Sequence, residues 1–543
     1  MPIARIARQR DKILQEVIND SYSNLLKNYP KVGALRSELS KTLYLERIRI
    51  RNEPWSVDPE DESEFWGKVK KSLADSDPNI VDKEESIQKE EILSQQIIRR
   101  YASEIISNFD TKIYKLAEQL LPRFFGRLLN GSISGWRSFF KPKVTLENRL
   151  FITGPIEKIR NLALKGTVIL VPTHFSNLDS VIIGFGMNMI GLPAFQYGAG
   201  LNLFNSKFFS FFMGNLGAYK LDRRKKNPIY LETLKSFSRV NILEGANTIF
   251  FPGGTRSRSG NIEKELKLGL LGTVLEAQRM HFESSNDDAT RKIFILPLTT
   301  SYHFVLEASS LIEEHLRRSG KENYIIQDDQ FSSWQAWVKF FKELFLSSSD
   351  ITLSFSDPID VFGNPVDEQG NSIDKFGNQF DIKNYFTTKG ILRADAQREQ
   401  EYTRLLGEVL VEKFHSGNTA YSSHMVCFTA FQLLKKKFKD SDLYSLLRLP
   451  EEDREIDWDD FVFNFSRLRD EIYSLNNNNK IKIAPHITGE IDEVIEHGIK
   501  NVGLYHGNMP IYRLPNGNIS SEDMKLLYFY HNRLDGYDLQ KII

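Results

Sequence analysis

The chain has 543 residues, too many for one compact core, so two or three domains are expected. Hydrophobic residues make up 41% and charged residues 26%, which excludes wholesale disorder. Lysine plus arginine balances aspartate plus glutamate at 71 each, so net charge argues for no nucleic-acid partner, and the lone Cys427 excludes an intramolecular disulfide and a cysteine-rich metal site.

Residues 1–20 set Arg5, Arg8, Arg10 and Lys12 among isolated apolar residues. No continuous apolar run is present there, so no signal peptide is expected. Helical spacing predicts helices within 1–53 and 84–128, through Ile13, Leu14, Val17 and Ile18 and through Leu116, Leu120 and Leu121. Asn52 to Glu64, acidic and proline-containing, reads as an exposed linker. The basic Arg5–Lys12 face is read first as solvated, with contact to anionic lipid as the alternative. Phe124, Phe125, Leu128 and Leu129, with Arg123 and Arg127 between them, make a better membrane-surface candidate.

An α/β pattern begins near Leu150. Ile156–Leu164 is predicted as a helix that feeds a buried strand at Val168–Val171. Pro172 ends that strand, and His174 follows at the rim, where open α/β folds place their chemistry. Ser176 and Asn177 are good N-caps for the next helix, and Asp179 falls in its first turn. A histidine held by a carboxylate can take a proton from a hydroxyl, because the carboxylate fixes the tautomer and stabilises the imidazolium. Alone, this spacing is weak: a polar loop with a capping aspartate is the weightier reading until the rest of the chain is taken in.

From Ser180 to Tyr219 the only charge is Lys207, amid Phe204, Phe208, Phe209, Phe211 and Phe212. Pro193, Gly198 and Gly200 interrupt the run, so helices dipping an aromatic edge into a membrane interface are preferred to a transmembrane helix. A buried core crossing is the competing reading. A short strand follows and ends in Lys220, Arg223, Arg224, Lys225 and Lys226, read as an anion clamp or as solvated charge. Asn247–Pro252 is predicted as a strand entering Gly253-Gly-Thr-Arg-Ser-Arg-Ser-Gly260, with a helix from about Glu263. Glycines, arginines and hydroxyls near a helix start would make a phosphate cradle, although not a Walker loop. Lys292–Tyr302 and Ile351–Phe355 are further strands.

Residues 356–381, with Phe362-Gly-Asn and Phe376-Gly-Asn, read as turns, and no internal repeat is expected. The uncharged Ser416–Leu434 stretch suggests a buried helix. The organisation predicted is a helical region at 1–145, an α/β domain with a mostly parallel sheet flanked by helices at 146–360, a turn-rich connector at 361–394 and a helical region at 395–543. No specific chemistry is read in residues 440–543.

Four blocks stand in order: His174–Asp179, Gly217–Arg224, Phe251–Gly260 and Ile295–Tyr302. Together they resemble the glycerolipid acyltransferase family. The first looks like its His-x4-Asp, and the second like its Gly-x-x-x-x-[Arg/Asp]-Arg. The third is similar to its Phe-Pro-Glu-Gly-Thr-Arg-Ser element, and the fourth centres on Pro297. The Arg-Ser-Arg-Ser-Gly run and the large flanking regions resemble the bacterial-type glycerol-3-phosphate acyltransferases. One departure is Gly253, which stands where the family usually has a glutamate in its acceptor-binding block.

The resemblance implies acyl transfer from acyl-CoA or acyl-carrier protein to a hydroxyl of glycerol-3-phosphate, in phospholipid biosynthesis. It implies His174 and Asp179 as catalytic residues, and Arg223, Gly254, Thr255, Arg256, Ser257, Arg258, Lys267 and Pro297 as substrate-binding residues, with Phe204–Phe212 as an acyl-groove wall. No metal, cofactor or covalent intermediate is required. The expected setting is peripheral or monotopic on membrane lipid, with the active site facing the cytoplasm. The alternatives are a lysophosphatidate or other lysolipid acyltransferase, and, from another class, a catalytically silent lipid-binding protein. A serine hydrolase is disfavoured, since no Gly-x-Ser-x-Gly elbow is present.

Overall fold

The computed structural model describes residues 2–31, 33–55, 57–76, 82–117, 149–204, 211, 213–284, 291–319, 350–503 and 506–543. The Arg123–Leu129 patch and residues Lys207, Phe208, Phe209 and Phe212 lie outside them. Among the described residues no helix is long and apolar enough to cross a membrane.

A seven-stranded sheet forms the centre. Its strands are β1 (Leu150–Thr153), β2 (Gly166–Pro172), β3 (Gln196–Gly200), β4 (Ala218–Leu221), β5 (Thr248–Ile249), β6 (Lys292–Tyr302) and β7 (Ile351–Phe355). They lie in the order β1-β7-β6-β2-β5-β3-β4, and only β6 and β7 pair antiparallel. The predicted mostly parallel sheet flanked by helices is what the chain forms. β2 is buried at every residue, as a central parallel strand covered on both faces must be.

Pro297 stands inside β6, where a missing N–H ought to break a ladder. Here β6 changes partner: residues 292–298 pair with β2 and residues 298–302 with β7. The proline thus falls beside the handover, where its carbonyl still accepts from Ser356 N–H at 3.0 Å.

Several boundaries differ from the sequence reading. β5 spans only Thr248–Ile249, and β3 arises within the aromatic run read as helical. The helix expected from Glu263 begins instead at Gly269. No helix start therefore backs the Gly253–Gly260 turn, so the expected helix-end N–H groups do not contribute to a phosphate cradle there. The Asp179–Met189 helix takes Leu178 as its N-cap with no side-chain cap bond, and the Ser176 hydroxyl donates to Glu307 instead.

Four of the N-terminal helices, Arg10–Asn28, Ala34–Asn52, Glu62–Asp75 and Lys83–Ile105, share a core with the Pro228–Leu243 helix through Phe237 and Val240. That helix starts by an N-cap from Asn227 and a proline at its first turn. Asn227 Nδ2 also donates to Glu46 at 2.8 Å and to Tyr101 Oη at 2.9 Å, which fastens the N-terminal region to the sheet. The 53–61 segment is not a free linker: the Asp58 carboxylate is part-buried between Arg49 and Arg224. Arg5 and Lys12 face Glu244, at 2.9 and 3.6 Å.

Residues 360–378 hold an internal repeat the sequence reading missed. Asp360-Val-Phe-Gly-Asn, Asp367-Glu-Gln-Gly-Asn and Asp374-Lys-Phe-Gly-Asn recur seven residues apart. Each aspartate accepts the N–H groups two and four residues on, and each glycine takes a φ between +84° and +91°. The C-terminal helices, including the buried Ser422–Lys437 helix that carries Cys427, share one apolar core with the sheet.

Candidate active site

In parallel strands the carboxyl ends share one rim, so the segments leaving β2, β4, β5 and β6 converge there. His174 lies just past β2, and its ring Nδ1 is 2.8 Å from Asp179 Oδ2. The same oxygen accepts the N–H groups of Phe175 at 2.7 Å and Ser176 at 3.0 Å. Its other oxygen accepts the Tyr302 hydroxyl at 2.5 Å. Asp179 is fully buried, and four donors surround its two oxygens, so the carboxylate faces the ring as an acceptor. The imidazole therefore carries its proton on Nδ1, which leaves the Nε2 lone pair to act as base. The ring rests on Phe251, with centroids 4.3 Å apart, and keeps 15% of its side-chain surface exposed.

The Gly253–Gly260 turn is bonded to the histidine loop, since Ser257 N–H donates to His174 O at 2.7 Å. Gly254 has φ +69°, and a Cβ there would lie 2.5 Å from Lys267 Cδ. Only glycine suits both the left-handed backbone and the passage of the Lys267 stem. The Lys267 N–H donates to Pro252 O at 2.7 Å. Thr255 is half-buried in the turn, whereas Pro297 sits in β6 with its carbonyl taken by the Ser356 N–H.

Of the basic run after β4, Arg223 lies close enough to Arg256 and Arg258 to feel their charge. Arg224 is bonded to Asp222 and Asp58 and lies over Trp55, and Lys225 is buried against Glu104 at 2.5 Å. Those two are structural, so Arg224 and Lys225 drop out of the clamp read across the run. Arg223 is exposed, and no hydrogen bond or ion pair holds it among the described residues. The crowded cleft, then the charges of Arg256 and Arg258, lower its pKa. Three guanidinium groups thus share one field.

Arg256 and Arg258 leave the turn toward different carboxylates. Arg256 Nη1 meets Glu307 Oε1 at 3.1 Å, and Arg258 Nε meets Glu314 Oε1 at 2.9 Å.

Sequence reasoning missed four residues here. Glu307, buried after β6, accepts Arg256, the Asn177 N–H at 2.9 Å and the Ser176 hydroxyl at 2.8 Å, so it ties three segments together. Tyr302 supports Asp179 from the last position of β6. Both stand at a strand's carboxyl end, as His174 does, and that placement was the available signal.

Glu263 lies beside Gly253: a Cβ on Gly253 would be 3.1 Å from Glu263 Cγ. Its Oε1 accepts the His174 N–H at 2.9 Å, while its buried Oε2 has no partner among the described residues. Burial pushes this carboxyl up to about 7. The Glu263 carboxyl thus lies against the space that the missing side chain at Gly253 leaves. Arg533, from the C-terminal tail, lies 3.9 Å from the centroid of Phe175 and bonds to Thr300 O, Ser301 and Asn418. Burial pushes it down to about 10. No local signal near residue 533 pointed to it.

Residues 155–301 match the family model Acyltransferase. Among known proteins, the chain is similar to a glycerol-3-phosphate acyltransferase of Aeromonas hydrophila, 27% identical over 46% of this chain and 28% of that protein. A protein of the same name from Pseudomonas paraeruginosa is 26% identical over 47% of this chain and 28% of its own length. One from Alteromonas mediterranea is 24% identical over 39% of this chain and 23% of its own. The chain spans about a quarter of the length of the curated relatives it matches. The stretch matched by the Acyltransferase model holds the His174–Asp179 pair, the arginine turn and nearly all of β6.

Proposed function

We propose that this chain transfers a fatty acyl group from acyl-CoA or acyl-carrier protein to a hydroxyl of glycerol-3-phosphate, in phospholipid biosynthesis. The observation that carries the reading is the His174–Asp179 pair, whose carboxylate is buried and held by four donors at the sheet rim, beside three arginines. His174 Nε2 takes the acceptor hydroxyl's proton as that oxygen attacks the thioester carbonyl. Asp179 balances the imidazolium, and Tyr302 and the two N–H groups keep the carboxylate in place. The tetrahedral adduct collapses, the C–S bond breaks, and the thiolate leaves with the proton available from His174.

Arg223 is the best-placed phosphate ligand, because it is not committed to a carboxylate. Arg256 and Arg258 add field and, through their carboxylates, fix the turn. Holding the phosphate brings the hydroxyl within reach of the base, and such positioning supplies much of the rate. The near-uncharged Ser180–Tyr219 run and a lipid product support a peripheral or monotopic place on a membrane, with the site facing the cytoplasm.

The test is a radiolabelled acyl-CoA assay on the purified full chain, with glycerol-3-phosphate and lysophosphatidate in parallel. Acylation of glycerol-3-phosphate is expected. Acylation of lysophosphatidate alone would move the acceptor to a lysolipid, and no acylation of either would leave a silent lipid-binding protein.

A further inference from the structure

On the far side of the Tyr302 strand end, three histidines distant in sequence come together. His303 follows β6, His486 stands in the Pro485–Thr488 turn, and His497 lies on the Ile491–Gly503 helix. One ring nitrogen from each lies within 4.8 Å of the others. His303 is buried, and its ring centroid is 5.1 Å from that of His486 and 5.2 Å from that of His497.

The rings are oriented by the start of the Ser422–Lys437 helix. His303 Nδ1 meets Ser423 Oγ at 3.1 Å, and His497 Nδ1 meets Ser422 Oγ at 2.9 Å. In each ring this leaves Nε2, and in His303 that nitrogen is buried with no partner among the described residues. An unpartnered polar atom in the core is costly, and buried polar groups are otherwise paired. Fixing one nitrogen by a second group while the other stays bare is how a protein prepares imidazole to bind a metal.

We propose that His303, His486 and His497 form a binding site for a divalent ion of the zinc class, clipping the C-terminal region to the end of β6. Three imidazoles suit zinc, copper, nickel or cobalt. They do not suit calcium or magnesium, which take oxygen. Zinc bound this way keeps a fourth position for water, and half-buried His486 and His497 leave a route for it. One existing bond opposes the ion: Ser422 N–H donates to His486 Nε2 at 3.2 Å. The bond is long, and the ion competes with it for that lone pair. The site is independent of the acyl-transfer reading, since none of the three rings touches His174 or Asp179.

The test uses the purified full chain, stripped by a chelator and titrated with Zn²⁺ alone. Saturable binding of one ion per chain is expected, with a rise in Tm that a chelator reverses. His497→Gln, at a half-buried position, is expected to weaken binding by at least about tenfold and to remove the Tm rise. His486→Gln gives a second, independent reading of the same loss. Co²⁺ in place of Zn²⁺ is expected to give the visible absorption of a tetrahedral site. No saturable binding, or binding that both variants leave unchanged, would overturn the proposal.

Discussion

At the residue scale, the buried carboxylate at Asp179 decides what His174 can do. His174→Ala should lower kcat by about 10²–10⁴-fold, with the far-UV spectrum and Tm held. Near-wild-type turnover in the purified variant would sink the mechanism. Tyr302→Phe removes one of the four donors on Asp179 and leaves the His174 bond, so a smaller loss is expected.

Arg223→Ala should raise KM for the phosphorylated acceptor and leave KM for the acyl donor nearly unchanged. Arg223→Lys should rescue poorly, because an ammonium lacks the bidentate fork. A rise confined to the donor KM would assign these arginines to the donor's phosphates. Arg256→Ala is a less clean test, since it also strips Glu307 of its buried counter-charge.

Glu263 gives a prediction with a definite sign. Its carboxyl is raised from 4.5 to about 7, so the folded state holds a proton that the unfolded chain releases. Its contribution to stability is fully present below about pH 4.5 and is lost as pH rises through about 7. A shift of that size is worth on the order of 3 kcal/mol. Glu263→Gln keeps an acceptor for the His174 N–H and abolishes the titration. Its Tm should therefore fall less than wild type's between pH 4.5 and pH 7. Parallel Tm–pH curves for the two proteins would show that Glu263 does not carry this proton. Glu263 was invisible beforehand because ten residues separate it from Gly253, and only the folded turn sets them side by side.

At the element scale, the Gly253–Gly260 turn is held at both ends. Gly260 has φ +83°, and a Cβ there would lie 2.2 Å from Phe529 O. Asn532 Nδ2 donates to Ser259 O at 2.8 Å, and Lys264 pairs with Asp535 at 2.7 Å. Gly260→Ala should therefore lift the turn off the C-terminal helix and cost about 1–3 kcal/mol for the backbone alone. Thermal melts beside acceptor KM would show both effects, and unchanged values in both would contradict this packing. The elements on either side of the site were legible where periodicity or strand composition was strong, as in β2, β6 and the Ile156–Lys165 helix. β3 was not, because Gln-Tyr-Gly-Ala-Gly has no strand pattern and forms only by pairing with β4 and β5. The same limit hid the Glu62–Asp75 helix, whose acidic start blended with the segment before it.

Across the whole molecule, no boundary in the core separates the sheet from the C-terminal helices. Leu406, Leu410 and Phe414 pack in the same apolar cluster as β2 and β6, and Arg533 reaches the backbone of β6. A fragment limited to residues 146–360 should therefore give no cooperative thermal transition, whereas the full chain should give one. A sharp melt of the fragment would show an independent domain. The order of the four blocks was readable because each block is local. The support from residues 302–307 and 533 was not, because it depends on which distant segments the sheet brings to its rim.

Cys427 has no exposed surface, and burial raises its thiol pKa. Reagents attack the thiolate, so the folded chain should be nearly inert to alkylation. With no other cysteine in the sequence, every labelled molecule marks one opening of the helix that joins the tail to the sheet. The chain thus carries its own clock for that opening. Labelling rates measured with and without each substrate would report which of them closes the molecule, before any turnover is assayed.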